Sequence, residues 1–366
     1  MMNSISKFFF KIDEVDVGGS EKCYIIAEMS GNHDGDLNEA KKIIKAAKNS
    51  GANAVKLQTY RADTITMDTS MKDFCLPVDN PWETHKTLFD LYEKASTPWE
   101  WHYDLFQEAK KNEITIFSSP FDTTAVDFLE ELDCPAYKIA SPEITDIPLI
   151  KKVAQTGKPV IISTGLAELN DIILAVDTLR ENNCENFAIL QCLTAYPAPI
   201  EETNLALLPE MSEKFQCVVG VSDHSIGITV PISSIHYGSK IIEKHFVLNR
   251  SDSVDGFFSS DELDFREMVK YIREAEKSIG SSDFSISKSA KNNFFARRSL
   301  YVSKDVKAGE MITPNNIKSV RPGFGLHPKY YDIVLGKTFK NSRTRGERLT
   351  EDDINDFSID ILNGKP

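Results

Sequence analysis

Eight short runs rich in β-branched residues recur along the chain, and each starts apolar and finishes close to a residue capable of chemistry. They are YIIAE (24–28), NAVKLQT (53–59), TIFSS (115–119), AYKIAS (136–141), PVIIST (159–164), FAILQC (187–192), VVGVSDH (218–224) and KIIEKHF (240–246). Helical patterns lie between most of them. In LNEAKKIIKAAKNSG (37–51), Ala40, Ile43, Ile44 and Ala47 fall at the i, i+3, i+4, i+7 spacing of one helix face, and Gly51 stops the helix. Strand and helix alternating in this way build a parallel sheet with helical crossovers. Eight such units predict an α/β fold of the (β/α)8 TIM-barrel type rather than an open doubly wound sheet, which more often has five or six strands.

In a barrel of that kind the C-terminal ends of all eight strands ring one mouth, where the chemistry is done. The residues brought there are Glu28, Lys56, Gln58, Ser119, Lys138, Ser141, Ser163, Thr194 just past the sixth run, Ser222, His224 and His245. Alternation along a strand puts Lys56 with Gln58, and Ser222 with His224, on shared faces. Polar strand ends are expected wherever strands run into loops, which accounts for a serine or two but not for two lysines, two histidines and a glutamate. His224 and His245, on neighbouring strands, can hold one divalent metal whose remaining positions are left to water and substrate, as a catalytic ion requires. His33, His85, His102, His236 and His327 read as packing or hydrogen-bonding residues. Lys56 and Lys138 supply fixed positive charge for a phosphate or carboxylate, with the serine hydroxyls as donors. A barrel lysine can instead form a Schiff base, as in aldolases, and that reading competes.

The remaining features exclude several classes. A formal net charge of -13 argues against a protein that grips the phosphate backbone, so no nucleic-acid partner is expected. The six cysteines form no CxxC pair and read as reduced, mostly buried thiols in a cytoplasm. MMNSISKFFFKI is broken by Lys7 and Lys11 and does not read as a secretory leader. No apolar run reaches the ~18 residues of a membrane span. The connection between the second and third runs is long and holds all three tryptophans, Trp82, Trp99 and Trp101, as a substrate wall or lid or as a hydrophobic plug. Beyond ISKSAKNNF (286–294) the chain turns basic and turn-rich. There AGEMITPNNI (308–317) is echoed by RGERLTEDDI (345–354), the mark of a small pseudo-symmetric β-rich module. The expected division is a barrel domain over 1–282, a linker over 283–297 and the module over 298–366.

Read in order, IAEMSGNHDGDLNEAKKIIKAAKNSGANAVKLQTY, SSPFD, YKIASPEITDIPLI, KPVIISTG, LQCLTAYPAP, SDHSIG and EKHF resemble the sialic acid synthase family of phosphoenolpyruvate-dependent nonulosonic acid synthases. The likeness covers almost the whole chain. RRSLYVSKDVKAGEMIT and VRPGFG resemble the antifreeze-like (SAF, β-clip) domain that these enzymes carry. Within the family, NPWE, TLFDLYEKASTPWEWH and FDTTAVDFLEEL are most similar to the pseudaminic acid branch, ahead of the N-acetylneuraminate and legionaminate branches.

That resemblance implies a transferase that condenses phosphoenolpyruvate with the open-chain aldehyde of an acetamido sugar and releases phosphate by C–O cleavage. For the pseudaminic branch the sugar is 2,4-diacetamido-2,4,6-trideoxy-altropyranose. It implies that His224 and His245 hold a divalent ion, Mn2+ first and Mg2+ or Co2+ as alternatives, and that Glu28 is the base. Lys56, Ser119, Lys138, Ser141, Ser163, Thr194 and Ser222 match the phosphoenolpyruvate pocket, and Gln58, Tyr196, Asp255 and Arg321 match positions lining the sugar. Thr194 stands where the sialate enzymes have asparagine, and NRSDSVDGFFS (249–259) departs from their Gly-Pro-Asp loop. The tail module, with Arg321, is expected to reach over the partner's barrel in a domain-swapped homodimer. The rival of another class is a sugar-binding protein that has kept the barrel and lost turnover.

Overall fold

The computed structural model describes residues 7–76, 81–82 and 85–359. Residues 1–6 and 77–79, Asn80 and Glu83 of the NPWE motif, Thr84 and the last seven residues of the chain lie outside the described residues. The chain divides into two compact units between Ser281 and Ser282.

The first unit is a closed barrel of eight parallel strands: β3 (Tyr24–Glu28), β4 (Ala54–Thr59), β5 (Thr115–Pro120), β6 (Tyr137–Ile139), β7 (Val160–Ser163), β8 (Phe187–Cys192), β9 (Val218–Asp223) and β10 (Ile241–His245), with β10 closing onto β3. Each of the eight runs picked out in the sequence supplies one strand. Their interiors are almost wholly buried, as strands covered on both faces must be. The helix Leu37–Asn49 turns Ala40, Ile43, Ile44 and Ala47 onto the barrel, and its start is capped by Asp36, whose carboxylate accepts the Asn38 N–H at 2.8 Å. Gly51 follows with φ +92, the left-handed geometry that ends a helix.

A hairpin of β1 (Phe9–Ile12) and β2 (Val15–Gly18) precedes the barrel and adds Phe10, Ile12 and Val17 to its core. A Cβ on Gly18 would lie 2.3 Å from the Phe8 carbonyl and 2.7 Å from Val218, the first residue of β9. The hairpin therefore packs at the N-terminal end of β9, away from the end that carries the histidines.

The long connection after β4 is largely helical, with helices at Ala62–Ile65, Leu88–Ala95 and His102–Lys111. Its tryptophans pack in two places. Trp99 stacks on Phe128 at 4.6 Å, takes the Arg61 guanidinium on its ring at 4.1 Å and donates to the Tyr60 carbonyl; Trp101 meets His33 edge-on. Both anchor the insert to the rim. Trp82 instead donates to the Val254 carbonyl at 3.1 Å and packs against Tyr196 and Phe257.

The second unit pairs β11 (Ser299–Val302) with β12 (Ile317–Val320) around a separate core that includes Leu300, Phe339 and Leu349. Its internal echo is structural as well as sequential. The Thr313 N–H donates to the Asn316 carboxamide at 2.8 Å, and the Thr350 N–H donates to the Asp353 carboxylate at 2.9 Å, the same capping turn at the same place in each copy. Arg321 lies in this unit and is exposed.

Candidate active site

Parallel pairing and the inward face of each strand bring the predicted residues of the first unit together. His245 lies opposite Glu28 across β10 and β3, and Glu28 lies opposite Lys56 across β3 and β4. Gln58 lies opposite Ser119, and Ser222 has Glu243 on one side and Cys192 on the other.

At the floor of the mouth four buried charges nearly cancel. Lys56 sits 2.8 Å from Glu28 and 3.8 Å from Glu243, and Lys138 is 3.8 Å from the same Glu243 oxygen. Ser222 donates to that oxygen at 3.1 Å, Lys56 donates to the Ser119 hydroxyl at 3.0 Å, and the Gln58 amide donates to Glu28 at 2.8 Å. Lys138, 1% exposed, makes one hydrogen bond among the described residues, to the Ile139 carbonyl at 3.3 Å. An ammonium has three donors, so Lys138 keeps capacity for an anion.

The protonation pattern follows from burial against these neighbours. Burial pushes the Glu28 carboxyl up to about 7, although Lys56 pulls it back. Burial also opposes ionisation of Glu243, but Lys138 and Lys56 outweigh it and hold that carboxyl below its ordinary value. Lys138 is drawn down by burial; Lys56 is drawn down too, but Glu243 and Glu28 more than restore it. Glu143, in the turn Ser141–Thr145 that follows β6, is pushed up to about 7 by burial.

Beside this floor a small cradle of side chains closes around Gly165. Gly165 donates its N–H to the Ser141 hydroxyl at 3.0 Å. A Cβ there would come within 2.2 Å of the Thr194 hydroxyl and 3.0 Å of Cys192 Sγ and Ser141 Oγ. Only glycine lets these three side chains converge. The hydroxyls of Thr194 and Ser163 are buried without a hydrogen-bond partner among the described residues, as groups awaiting a ligand would be. Thr194, standing where the sialate enzymes have asparagine, thus offers a hydroxyl as the donor.

The two imidazoles stand 5.3 Å apart, centroid to centroid. His224 Nδ1 lies 3.0 Å from the Leu193 carbonyl, to which it donates, leaving Nε2 with its lone pair. His245 Nδ1 is buried with no hydrogen-bond partner among the described residues, and Asp255 Oδ2 lies 3.8 Å from it. Burial, then His224, hold the His245 ring well below the usual imidazole range, so it is neutral. His224 is also opposed by burial, but the adjacent Cys192 raises it. A neutral orphan nitrogen facing a second imidazole is a donor set that fits a divalent ion. Among the described residues no cluster of three or more His, Cys, Asp or Glu could hold a metal by itself.

An aromatic wall rises from the imidazoles. Tyr196 lies 4.6 Å from His224, and Phe258 lies 4.7 Å from His245 and 5.0 Å from Tyr196. Asp255 is set by Asn32, whose carboxamide oxygen accepts the Asp255 N–H at 3.3 Å, and by Ser30, whose hydroxyl donates to Oδ2. Asn32 also donates to the Phe246 carbonyl and to Ser259, both at 2.9 Å, so one side chain folds the 249–259 segment over the mouth.

Sequence reasoning did not assign Glu243, although it sits two residues before His245 and so on the same inward face. It also read Cys192 as a small hydrophobe. Burial raises that thiol, but His224, 3.9 Å away, turns the balance downward. His33 and His102 are buried packing residues, as expected, and burial pushes both down to about 4.

The sequence signature of the NeuB family matches residues 43–284, and that of the SAF domain matches residues 297–355. The chain is 43% identical to the pseudaminic acid synthase of Campylobacter jejuni subsp. jejuni serotype O:2 over 336 residues, 91% of this chain and 97% of that protein. It is 35% identical to the N,N'-diacetyllegionaminic acid synthase of the same organism over 340 residues, 90% of this chain and all of that protein. Among solved structures, the N-acetylneuraminic acid synthetase of Leptospira borgpetersenii serovar Hardjo-bovis superposes with a TM-score of 0.68 at 28% identity, covering 78% of this chain and 94% of that one.

Proposed function

This chain belongs to the NeuB family of sialic acid synthases, and on that premise we propose that it condenses phosphoenolpyruvate with 2,4-diacetamido-2,4,6-trideoxy-altropyranose to give pseudaminic acid and phosphate. The observation that carries the choice of sugar is the closer identity, along nine-tenths of the chain, to a pseudaminic than to a legionaminic synthase of one organism.

Lys138 and Lys56 face the anionic donor, with the hydroxyls of Ser119, Ser141, Ser163, Thr194 and Ser222 completing its hydrogen bonds. The ion held by His224 and His245, manganese in our reading with magnesium and cobalt as alternatives, supplies Lewis-acid polarisation of the sugar aldehyde. The C3 carbon of phosphoenolpyruvate bonds to the aldehyde carbon, whose oxygen takes up a proton. Water then adds at C2, one of its protons passing to Glu28 to replace the proton that the aldehyde oxygen takes up, and the C2–O bond to phosphate breaks, the remaining hydroxyl proton leaving with the phosphate as the ketone forms. Glu28 suits that task because its carboxyl titrates near neutrality and Gln58 fixes one of its oxygens. Tyr196, Gln58 and Asp255 line the sugar.

We place Arg321 over the barrel of a second copy in an exchanged homodimer, a reading supported by the SAF match. A cytoplasmic location is supported by six cysteines without a disulfide. Among the described residues no helix is long and apolar enough to cross a membrane.

The test is a substrate panel read by phosphate release and product mass. The altro sugar should be turned over at least ten-fold more efficiently than N-acetylmannosamine or the manno-like diacetamido sugar, within the range that pocket shape provides. Preference for either of the others would overturn the assignment. One observation favours a Schiff-base aldolase, namely the depressed Lys138 ammonium. Borohydride with pyruvate would trap that enzyme covalently and should leave this one unmodified.

A further inference from the structure

Asp223 and Lys244 are the other buried ion pair of the barrel, and the proposed chemistry does not use them. They lie opposite one another on β9 and β10, on the outward faces of the strands, one residue before His224 and His245 respectively. Their rung is the last in the β9–β10 ladder before the two histidines. Lys244 Nζ reaches Asp223 Oδ2 at 2.5 Å, and both side chains are at most 2% exposed.

The pair also grips the backbone just beyond His224. Asp223 Oδ1 accepts the Ser225 N–H at 2.9 Å, and Lys244 Nζ donates to the Ser225 carbonyl at 2.7 Å. Both backbone polar groups of Ser225 are thus held by side chains from two strands. His224 is then held on three sides: its carbonyl accepts the Ala198 N–H at 3.0 Å, its ring donates to Leu193, and its C-terminal neighbour is fixed by the pair.

A buried ion pair is a poor device for stability, because desolvation offsets most of the attraction and a packed apolar pair often does as well. What it does supply is one geometry. We propose that the Asp223–Lys244 pair is a positioning clamp, which sets the strand register and the backbone direction of β9 and β10 so that the two imidazoles face each other at the spacing a shared cation needs. Groups behind metal ligands typically alter affinity ten- to a hundred-fold when removed. The clamp rests on the reading that His224 and His245 hold a divalent ion, and it adds residues that touch neither ion nor substrate.

The experiment titrates the full-length protein with Mn2+ and follows the free ion by electron paramagnetic resonance, alongside thermal unfolding. Lys244→Met removes the pair and the bond to Ser225 while keeping side-chain length; Asp223→Asn keeps shape and the Ser225 acceptor while removing the charge, and serves if the first variant does not fold. Leu179→Ala, in the buried face of the helix Leu169–Glu181, is the control for general destabilisation. The clamp predicts Mn2+ dissociation constants raised at least ten-fold in the two clamp variants and unchanged in Leu179→Ala, even where its unfolding temperature falls as far. Wild-type affinity in a folded clamp variant overturns the proposal, as does a loss in the control that tracks its unfolding temperature. A wild type that binds no Mn2+ overturns the metal reading and the clamp with it.

Discussion

Glu28 is buried beside Lys56 yet titrates near neutrality, because two carboxylates and two ammoniums share one desolvated floor and Glu28 carries the weaker claim to its charge. A base must be deprotonated, so kcat should fall about ten-fold per pH unit below about 7. Glu28→Gln should abolish that limb together with ~10²- to 10⁴-fold of the rate. A pH profile in Glu28→Gln parallel to that of the wild type would assign the base elsewhere. Gly165 gives a second prediction. A methyl group there would sit 2.2 Å from the Thr194 hydroxyl, inside the proposed anion cradle. Gly165→Ala should raise KM for phosphoenolpyruvate at least ten-fold and leave KM for the sugar within about two-fold, a displacement of ~1.4 kcal/mol confined to one substrate. Most of these residues were legible because each ends an apolar run. Glu243 was legible in principle, through its two-residue spacing from His245. The cradle was not, since a glycine announces its missing Cβ only when the groups that would meet it are seen.

At the level of elements, the eight barrel strands were readable because parallel strands are buried on both faces and so stand out as unbroken apolar runs. The β1–β2 hairpin escaped attention because MMNSISKFFFKI was weighed only against a leader and the following DEVDVGG not at all. Its signal was Asp13, which carries φ 54 at the two-residue turn between Ile12 and Val15. The tryptophan insert was read as wall or plug, and Trp99 and Trp101 pack as a plug would. Its attachment depends on His102, which donates from Nδ1 to the Pro98 carbonyl at 3.2 Å and accepts from the Thr59 hydroxyl at 2.8 Å. Burial pushes this imidazole down to about 4, below the 6.5 of an unfolded chain. A depressed folded-state value means that the stabilising effect is complete above 6.5 and is lost as pH falls toward 4. Urea unfolding of the wild type against His102→Gln should therefore show the stability gap shrinking by about 1.4 kcal/mol per pH unit across that window. A gap independent of pH would mean that His102 is charged in the fold.

At the scale of the whole molecule, the tail module was legible through its 37-residue echo, which the Asn316 and Asp353 turns reproduce. The exchanged dimer assigns Arg321 to the neighbouring copy's site. If each tail serves the partner's barrel, a mixture of His245→Ala and Arg321→Ala chains, refolded together, should recover up to about a quarter of wild-type activity per site, while each alone stays inactive. Mixtures no better than their parts would return Arg321 to its own barrel.

The proposed reaction turns on one cation, held by His224 and His245 beside two ammoniums, that activates an acetamido sugar toward phosphoenolpyruvate. Its most direct test is phosphate release from phosphoenolpyruvate and the altro sugar after chelation and again after Mn2+ is restored. Release that stops on chelation, returns with Mn2+, and does not return in His245→Ala is the predicted result. Release that persists at the wild-type rate in the chelated protein would contradict it.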